Sequence, residues 1–214
     1  MLACDGLRGI AYQIMAGSAM NRILPAVALP LLLALAACGG GPAEAPPLEG
    51  AKIGGPFTLT DQHGKTVRDT DFAGKYRIVY FGYTYCPDVC PTDMLKIGQA
   101  MKALDKSAPA TSAKIVPIFI TVDPERDTPA ALGQFLGNFY SRAVGLTGSP
   151  AAIAAVEKQY AVFAQKQPPA PGGGYLVGHT QIAYLMGPDG KPITSLPLEK
   201  DVPAIQAQLE HWVR

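Results

Sequence analysis

The sequence predicts an α/β, thioredoxin-like sandwich: a mixed central sheet, helices on both faces and an N-terminal hairpin. Three observations carry this. The runs "YRIVYFGYTY" (Tyr76 to Tyr85) and "KIVPIFITVD" (ending at Asp123) are rich in β-branched and aromatic residues and do not alternate, as strands buried on both faces do. Each is followed by a stretch of helical character, so strands and helices alternate along the chain. Gly and Pro are plentiful, 23 and 20 of 214 residues, which favours a loop-rich fold over a helical bundle.

The elements follow in order. "PFTLTDQHGKTVRD" alternates apolar and polar residues around a turn-like "DQHGK", and reads as a hairpin. The first buried strand comes next, with cysteines at its C-terminal end. "PTDMLKIGQAMKALDK" has Leu95, Met101 and Leu104 near helical spacing, with Asp93 expected in the first turn and Lys102 and Lys106 near the end, as the helix dipole favours. After the second buried strand, "PERDTPAALGQFLGNFY" reads as loop and helix, with Thr128 as N-cap and Pro129 at the first helical position. "RAVGLTG" is a short strand, and "SPAAIAAVEKQY" repeats the helix start. "QKQPPAPGGGYLVG" reads as a long loop, functional or disordered. "HTQIAYLMGPDGKPITSLP" is strand, turn, strand. "DVPAIQAQLEHWVR" closes as an amphipathic helix with Ile205, Leu209 and Trp212 on one face.

The N-terminus is read apart from the fold. Arg22 precedes the apolar run 23–37, "ILPAVALPLLLALAA", which matches the core of a secretory signal and is too short to span a bilayer. The ending "LAAC" resembles a bacterial lipobox, with Cys38 lipidated and several acyl chains giving stable anchoring. Residues 38–51 then form a flexible Gly/Pro-rich tether and 52–214 the globular domain. Residues before the signal, Cys4 among them, make a long leader, so translation is expected to start at Met15 or Met20. The expected location is the periplasmic side of a bacterial cell envelope, with a membrane-anchored lipoprotein. A net charge of +1 argues against a nucleic-acid partner.

The mature chain then carries one cysteine pair, Cys86 and Cys90, in "YCPDVCP". Thiols four apart on a regular helix stand too far apart to bridge, although Pro87 and Pro91 disturb regular helix here. The small ring would also stabilise little. A metal accepts the longer spacing, because two thiolates share one ion without touching. Two soft thiolates favour Cu(I), or zinc in a closed site, and a helix N-terminus would help the thiolate form. A cysteine at the end of a buried strand, just before a helix, is the thioredoxin arrangement, and sites in such sheets lie at the carboxyl ends of strands.

A further ligand is required. His63 falls in the hairpin turn and His211 near the end of the last helix, both plain surface positions. His179 opens the predicted strand after the long loop. It reads either as a polar residue at a strand start, the plainer reading, or as the third member of a Cys/Cys/His copper site. Asp88 is a turn residue or an outer-shell contact. Asp123 is a cap for the next turn or a group that tunes the site. Arg126, in the flanking "VDPERDT", pairs with an acid or faces a partner.

Together "FTLTDQHGKTV", "YFGYTYCPDVCPTDM", "ITVDPERDTP" and "GHTQIAYLMGPDG" resemble the Sco/SenC family, over about Lys52 to Arg214. The resemblance implies a thioredoxin fold and a copper chaperone, with Cu(I) or Cu(II) held by Cys86, Cys90 and His179 and with Asp123 at the matching acidic position. It implies a role in assembling the copper A centre of cytochrome c oxidase, with the copper-bearing oxidase subunit as recipient and a periplasmic copper donor. One departure stands out. The family has an Asp-His-Ser-like sequence at the histidine, whereas this chain has "GHT", which weakens the expected orientation of the imidazole. The competing reading is a thiol–disulfide oxidoreductase that keeps the oxidase cysteines reduced by cycling Cys86 and Cys90. A peroxidase-like antioxidant is a third, lowered by the lack of a Thr/Arg peroxide-site pattern around the cysteines.

Overall fold

The computed structural model describes residues 44–169 and 173–214. The signal-like run 23–37, Cys38, Cys4 and the alternative starts Met15 and Met20 lie outside the described residues. Among the described residues, no helix is long and apolar enough to cross a membrane. One compact unit takes in Ala45–Arg214, so its edge falls inside the segment read as tether; there the Leu48 N–H donates to the Ile193 carbonyl at 3.0 Å.

The chain opens with the expected hairpin, β1 (Thr58–Asp61) and β2 (Thr66–Arg68). Its turn is built by Asp61, whose carboxylate accepts from the His63 and Lys65 N–H groups at 2.8 and 2.9 Å, while Gly64 takes a φ of 79° that favours glycine. Strand β3 (Tyr76–Gly82) is buried at all seven positions. Helix α1 (Val89–Ser107) and the single turn α2 (Pro109–Ser112) lead to β4 (Ile115–Thr121). Then come α3 (Pro129–Gly137), β5 (Val144–Thr147) and α4 (Pro150–Gln159). Strands β6 (Ala164–Lys166) and β7 (Val177–His179) precede β8 (Ala183–Met186), β9 (Pro192–Ser195) and α5 (Val202–Trp212).

Seven strands form one mixed sheet in the order β2-β1-β5-β4-β3-β8-β9. The central β3–β4 and β4–β5 pairs are parallel and the outer pairs antiparallel. Helices cover both faces. Tyr80 and Phe81 are neighbours on β3 and so point to opposite sides. Tyr80 bonds to Asp93 of α1 and its ring lies 6.0 Å from that of Phe119, which in turn meets Phe135 of α3 at 5.3 Å. Helix α5 packs along α1. On the other side Phe81 meets Tyr160, just past α4, at 5.4 Å. Three helices start alike: Thr128, Ser149 and Asp201 each accept from the N–H three residues on, with Pro at the first helical position in α3 and α4 and at the second in α5. Each such cap contributes about 1 kcal/mol.

Three expectations need correction. The inward face of α1 is Cys90, Met94, Ile97, Met101 and Leu104, at a 4-3-4-3 spacing, whereas Leu95 is 45% exposed. The helix begins at Val89, two residues before the expected start, so Asp93 lies beyond the first turn and is buried rather than complementing the dipole from water. The stretch read as a long loop is bounded by a second, two-stranded sheet: β6 pairs with β7, Ala164 opposite His179. Its Gln and Lys residues lack an apolar alternation because this ribbon stands outside the main sheet. His179 therefore closes β7 instead of opening the buried strand, which starts at Ala183.

Candidate metal centre

The site is built where β3 ends. Residues 83–88 form a turn before α1, and the side chain that pins it is Asp127. Its carboxylate accepts from the Thr84 N–H at 3.0 Å and from the Thr84 and Thr121 hydroxyls at 2.6 Å each. Asp127 is fully buried, and burial pushes its pKa up despite these donors. Within the turn the Cys86 N–H donates to the Tyr83 carbonyl at 3.2 Å, leaving Cys86 half-buried. Cys90 arrives by helix register, on the same face as Met94 and Ile97, and is fully buried. It packs against the strand end at Gly82, where a Cβ would stand 2.9 Å from the Cys90 sulfur. Gly82 is thus what lets the thiol approach.

The small ribbon supplies the third group. His179 Nε2 lies 3.4 Å from Cys90 Sγ, and its Nδ1 lies 3.1 Å from the Thr180 carbonyl. A carbonyl only accepts, so Nδ1 carries the proton and Nε2 keeps its lone pair, aimed at the thiols. Burial lowers the His179 pKa, which favours this neutral form. The Thr180 carbonyl therefore supplies the orientation that the sequence left open when no acid preceded the histidine. The ring of Tyr83 meets the imidazole edge-on at 6.0 Å.

One donor atom from each of Cys86, Cys90 and His179 falls within 4.8 Å of the others, and no bond joins the two sulfurs. The Cys90 N–H points at Cys86 Sγ at 3.5 Å. The helix N-terminus does not make Cys90 a ready thiolate, because burial dominates and pushes its thiol up. A bound cation would supply what water cannot there, releasing the proton as it binds. Two sulfurs and one imidazole suit a soft ion, so the residues fit copper.

The supporting residues fall differently. Asp123 is buried and pairs with Arg126. It also accepts from the Tyr175 hydroxyl at 2.8 Å. The Arg126 guanidinium lies 3.7, 4.8 and 5.7 Å from the rings of Tyr175, Tyr85 and Tyr83. It also donates to the Tyr175 carbonyl at 3.0 Å. Asp123 thus reaches the imidazole through Arg126 and Tyr83, and anchors the segment leading into β7. Asp88 occupies the N-cap position of α1, exposed, with no side-chain bond to the helix; its carbonyl accepts from the Thr92 hydroxyl at 3.0 Å. His63 lies in the hairpin turn and His211 stacks edge-on against Trp212, both outside the cluster.

Sequence reasoning missed Gly82, Asp127, Tyr80, Asp93 and Gln181. Tyr80 donates to Asp93 at 3.0 Å and Gln181 donates to the same oxygen at 2.9 Å. Only Gly82 left a trace, as a glycine ending a buried strand, where close approach is a standard reason for it.

The SCO1/SenC family model matches residues 45–214. The chain belongs to the SCO1/SenC family. The structure of Bradyrhizobium japonicum ScoI with copper bound is 43% identical, with 75% of this chain and 99% of that chain covered and a TM-score of 0.68. That of yeast Sco1 with copper bound is 36% identical, covering 75% and 88%, with a TM-score of 0.67. The human mitochondrial SCO1 homolog is 40% identical over 139 residues, 65% of this chain and 46% of the human protein. The match to Arabidopsis thaliana SCO1 homolog 1 covers 42% of that protein, so the chain spans less than half the length of these curated relatives. The thioredoxin-like sandwich is thus the SCO1/SenC fold.

Proposed function

We propose that this SCO1/SenC domain binds copper through Cys86, Cys90 and His179 and acts as a copper chaperone, aiding assembly of the copper A centre of cytochrome c oxidase. The observation that carries the reading is the convergence of two sulfurs and an imidazole nitrogen within 4.8 Å, the imidazole lone pair facing the thiols. Family membership supports it, since ScoI and Sco1 have been solved with copper bound. Asp123 supports the site through Arg126, and Asp88 shapes the start of the helix.

The copper is cargo. A half-buried Cys86 offers an entry side and a buried Cys90 a dry wall, which suits capture followed by release to another thiol site. The recipient in this reading is the copper-bearing oxidase subunit, and the source a periplasmic donor. A lipid on Cys38 and the tether after it would hold the domain at the periplasmic side of the membrane, with residues 1–37 removed as leader and signal. Mass spectrometry of the membrane-extracted protein tests that part: acylated Cys38 at the N-terminus supports it, and a free or retained Cys38 contradicts it.

Transfer is the direct test of the function. The copper-loaded domain is mixed with the metal-free soluble domain of an oxidase copper A subunit, and the two are separated. Copper found with the oxidase domain supports the chaperone reading; copper retained wholly by the donor at equal concentrations opposes it. The second reading, a thiol–disulfide oxidoreductase, is favoured by one feature: the two thiols are free, close, and unequally exposed, as an attacking and a resolving cysteine would be. Reduction of a disulfide-bonded oxidase peptide by the metal-free domain would support it.

A further inference from the structure

The three groups at the site come from three separate segments: the turn after β3, helix α1 and the end of β7. One carboxylate ties those segments together. Asp93 sits on α1, three residues past Cys90, and is only 2% exposed. One of its oxygens accepts from the Tyr80 hydroxyl of β3 at 3.0 Å and from the Gln181 side-chain amide at 2.9 Å. Gln181 follows His179 by two residues, and between them Thr180 holds the His179 Nδ1–H through its carbonyl. On the other side of that segment Thr180 bonds reciprocally to Phe163, through its N–H at 2.9 Å and its hydroxyl at 3.0 Å, which ties it to the ribbon and not to the cysteines.

No Lys or Arg lies within 4.0 Å of Asp93 among the ion pairs of the described residues. A buried carboxylate held by neutral donors alone is a costly choice for stability, since it gives up hydration without a charge partner. What it provides is geometry: a polar strut between the histidine segment and the cysteine helix, on the buried side of the site.

We propose that Asp93 is a positioning residue for metal binding, and that Gln181 and Tyr80 are its two arms, holding His179 Nε2 in register with the sulfurs of Cys86 and Cys90. The inference rests on the copper reading above. Loss of such an outer partner costs roughly 10- to 100-fold in metal affinity.

The test is a double-mutant cycle on Cu(I) affinity, measured by competition with a chelator on the reduced domain. Asp93→Ala is expected to weaken binding roughly 10- to 100-fold. Asp93→Asn, which keeps an oxygen to accept both donors, is expected to restore most of it. In the His179→Ala background the further change Asp93→Ala is expected to have no effect, because there is no imidazole left to position. Gln181→Ala, at an exposed residue that does not threaten folding, reports on the same arm and is expected to weaken binding in the parent and not in His179→Ala. An Asp93→Ala loss of equal size in both backgrounds overturns the proposal, since it would then act on overall stability. Asp93→Asn as weak as Asp93→Ala also overturns it, in favour of a charge effect. Should Asp93→Ala fail to fold, an unchanged affinity in Gln181→Ala overturns it. If the parent domain itself takes up no copper, it is the copper reading that fails.

Discussion

His179 Nε2 lies 3.4 Å from Cys90 Sγ, although 89 residues of chain separate them. The two elements that carry them have little else in common. Cys90 is placed by the register of the buried face of a long helix; His179 is placed by a three-residue strand of a ribbon outside the main sheet. The segment after His179 joins them, tied to the ribbon through Thr180 and Phe163 and to the helix through Gln181 and Asp93.

Gly82→Ala is expected to damage the site without unfolding the protein. The added methyl would sit 2.9 Å from Cys90 Sγ and from a ring carbon of Tyr80, so one of them must move. Overpacking of this kind costs about 1–3 kcal/mol. The expected result is a lower unfolding midpoint in urea together with weaker copper binding. A variant with parent-like affinity would show that the Cys90 sulfur has room to spare.

Asp127→Ala is expected to be a stability variant first. It leaves the Thr84 N–H, the Thr84 hydroxyl and the Thr121 hydroxyl without their acceptor beneath the turn, where Asp127 and Thr121 are fully buried and Thr84 partly so. Each unsatisfied buried donor costs about 1–3 kcal/mol. Chemical denaturation should show a loss of several kcal/mol, and a loss under about 1 kcal/mol would mean that the turn is held some other way.

The two thiols should react in order. Cys86 is half-buried while Cys90 is fully buried, and burial pushes the Cys90 thiol up, away from the reactive thiolate. In the reduced metal-free domain, iodoacetamide is expected to label Cys86 well before Cys90, as read by peptide mass spectrometry. Faster labelling of Cys90 would contradict the burial described.

Glu157, on α4 away from the cluster, gives a pH dependence. Burial pushes its pKa up to about 7, above the unfolded value of 4.5. An acid with a raised folded pKa is a stabilising proton binder: its contribution is present below pH 4.5 and is lost as pH rises to about 7. Glu157→Gln should therefore match the parent near pH 4 and melt at higher temperature near pH 8. Equal melting temperatures at both pH values would refute the assignment.

Much of this was legible in the sequence, for identifiable reasons. Buried parallel strands announce themselves by composition, so β3 and β4 were readable, and Thr128-Pro129 and Ser149-Pro150 marked helix starts because cap chemistry is local. Cys86 and Cys90 were readable as a pair because their spacing is a local constraint. His179 needed the family resemblance, because nothing in its own neighbourhood says what lies across from it. Asp93, Asp127 and Gln181 were out of reach: each works by a hydrogen bond to a residue 6 to 88 positions away. The short strands β6 (Ala-Gln-Lys) and β7 (Val-Gly-His) escaped because their pairing buries little apolar surface.

The central claim is that His179 completes a copper site with the two cysteines. It is tested most directly by Cu(I) titration of the reduced parent domain and of His179→Ala, against a chelator of known affinity. The account predicts about one copper per chain for the parent. It also predicts a loss of at least about tenfold in affinity for His179→Ala, since removing a ligand should cost no less than removing an outer partner. Equal affinity in the two proteins would contradict it.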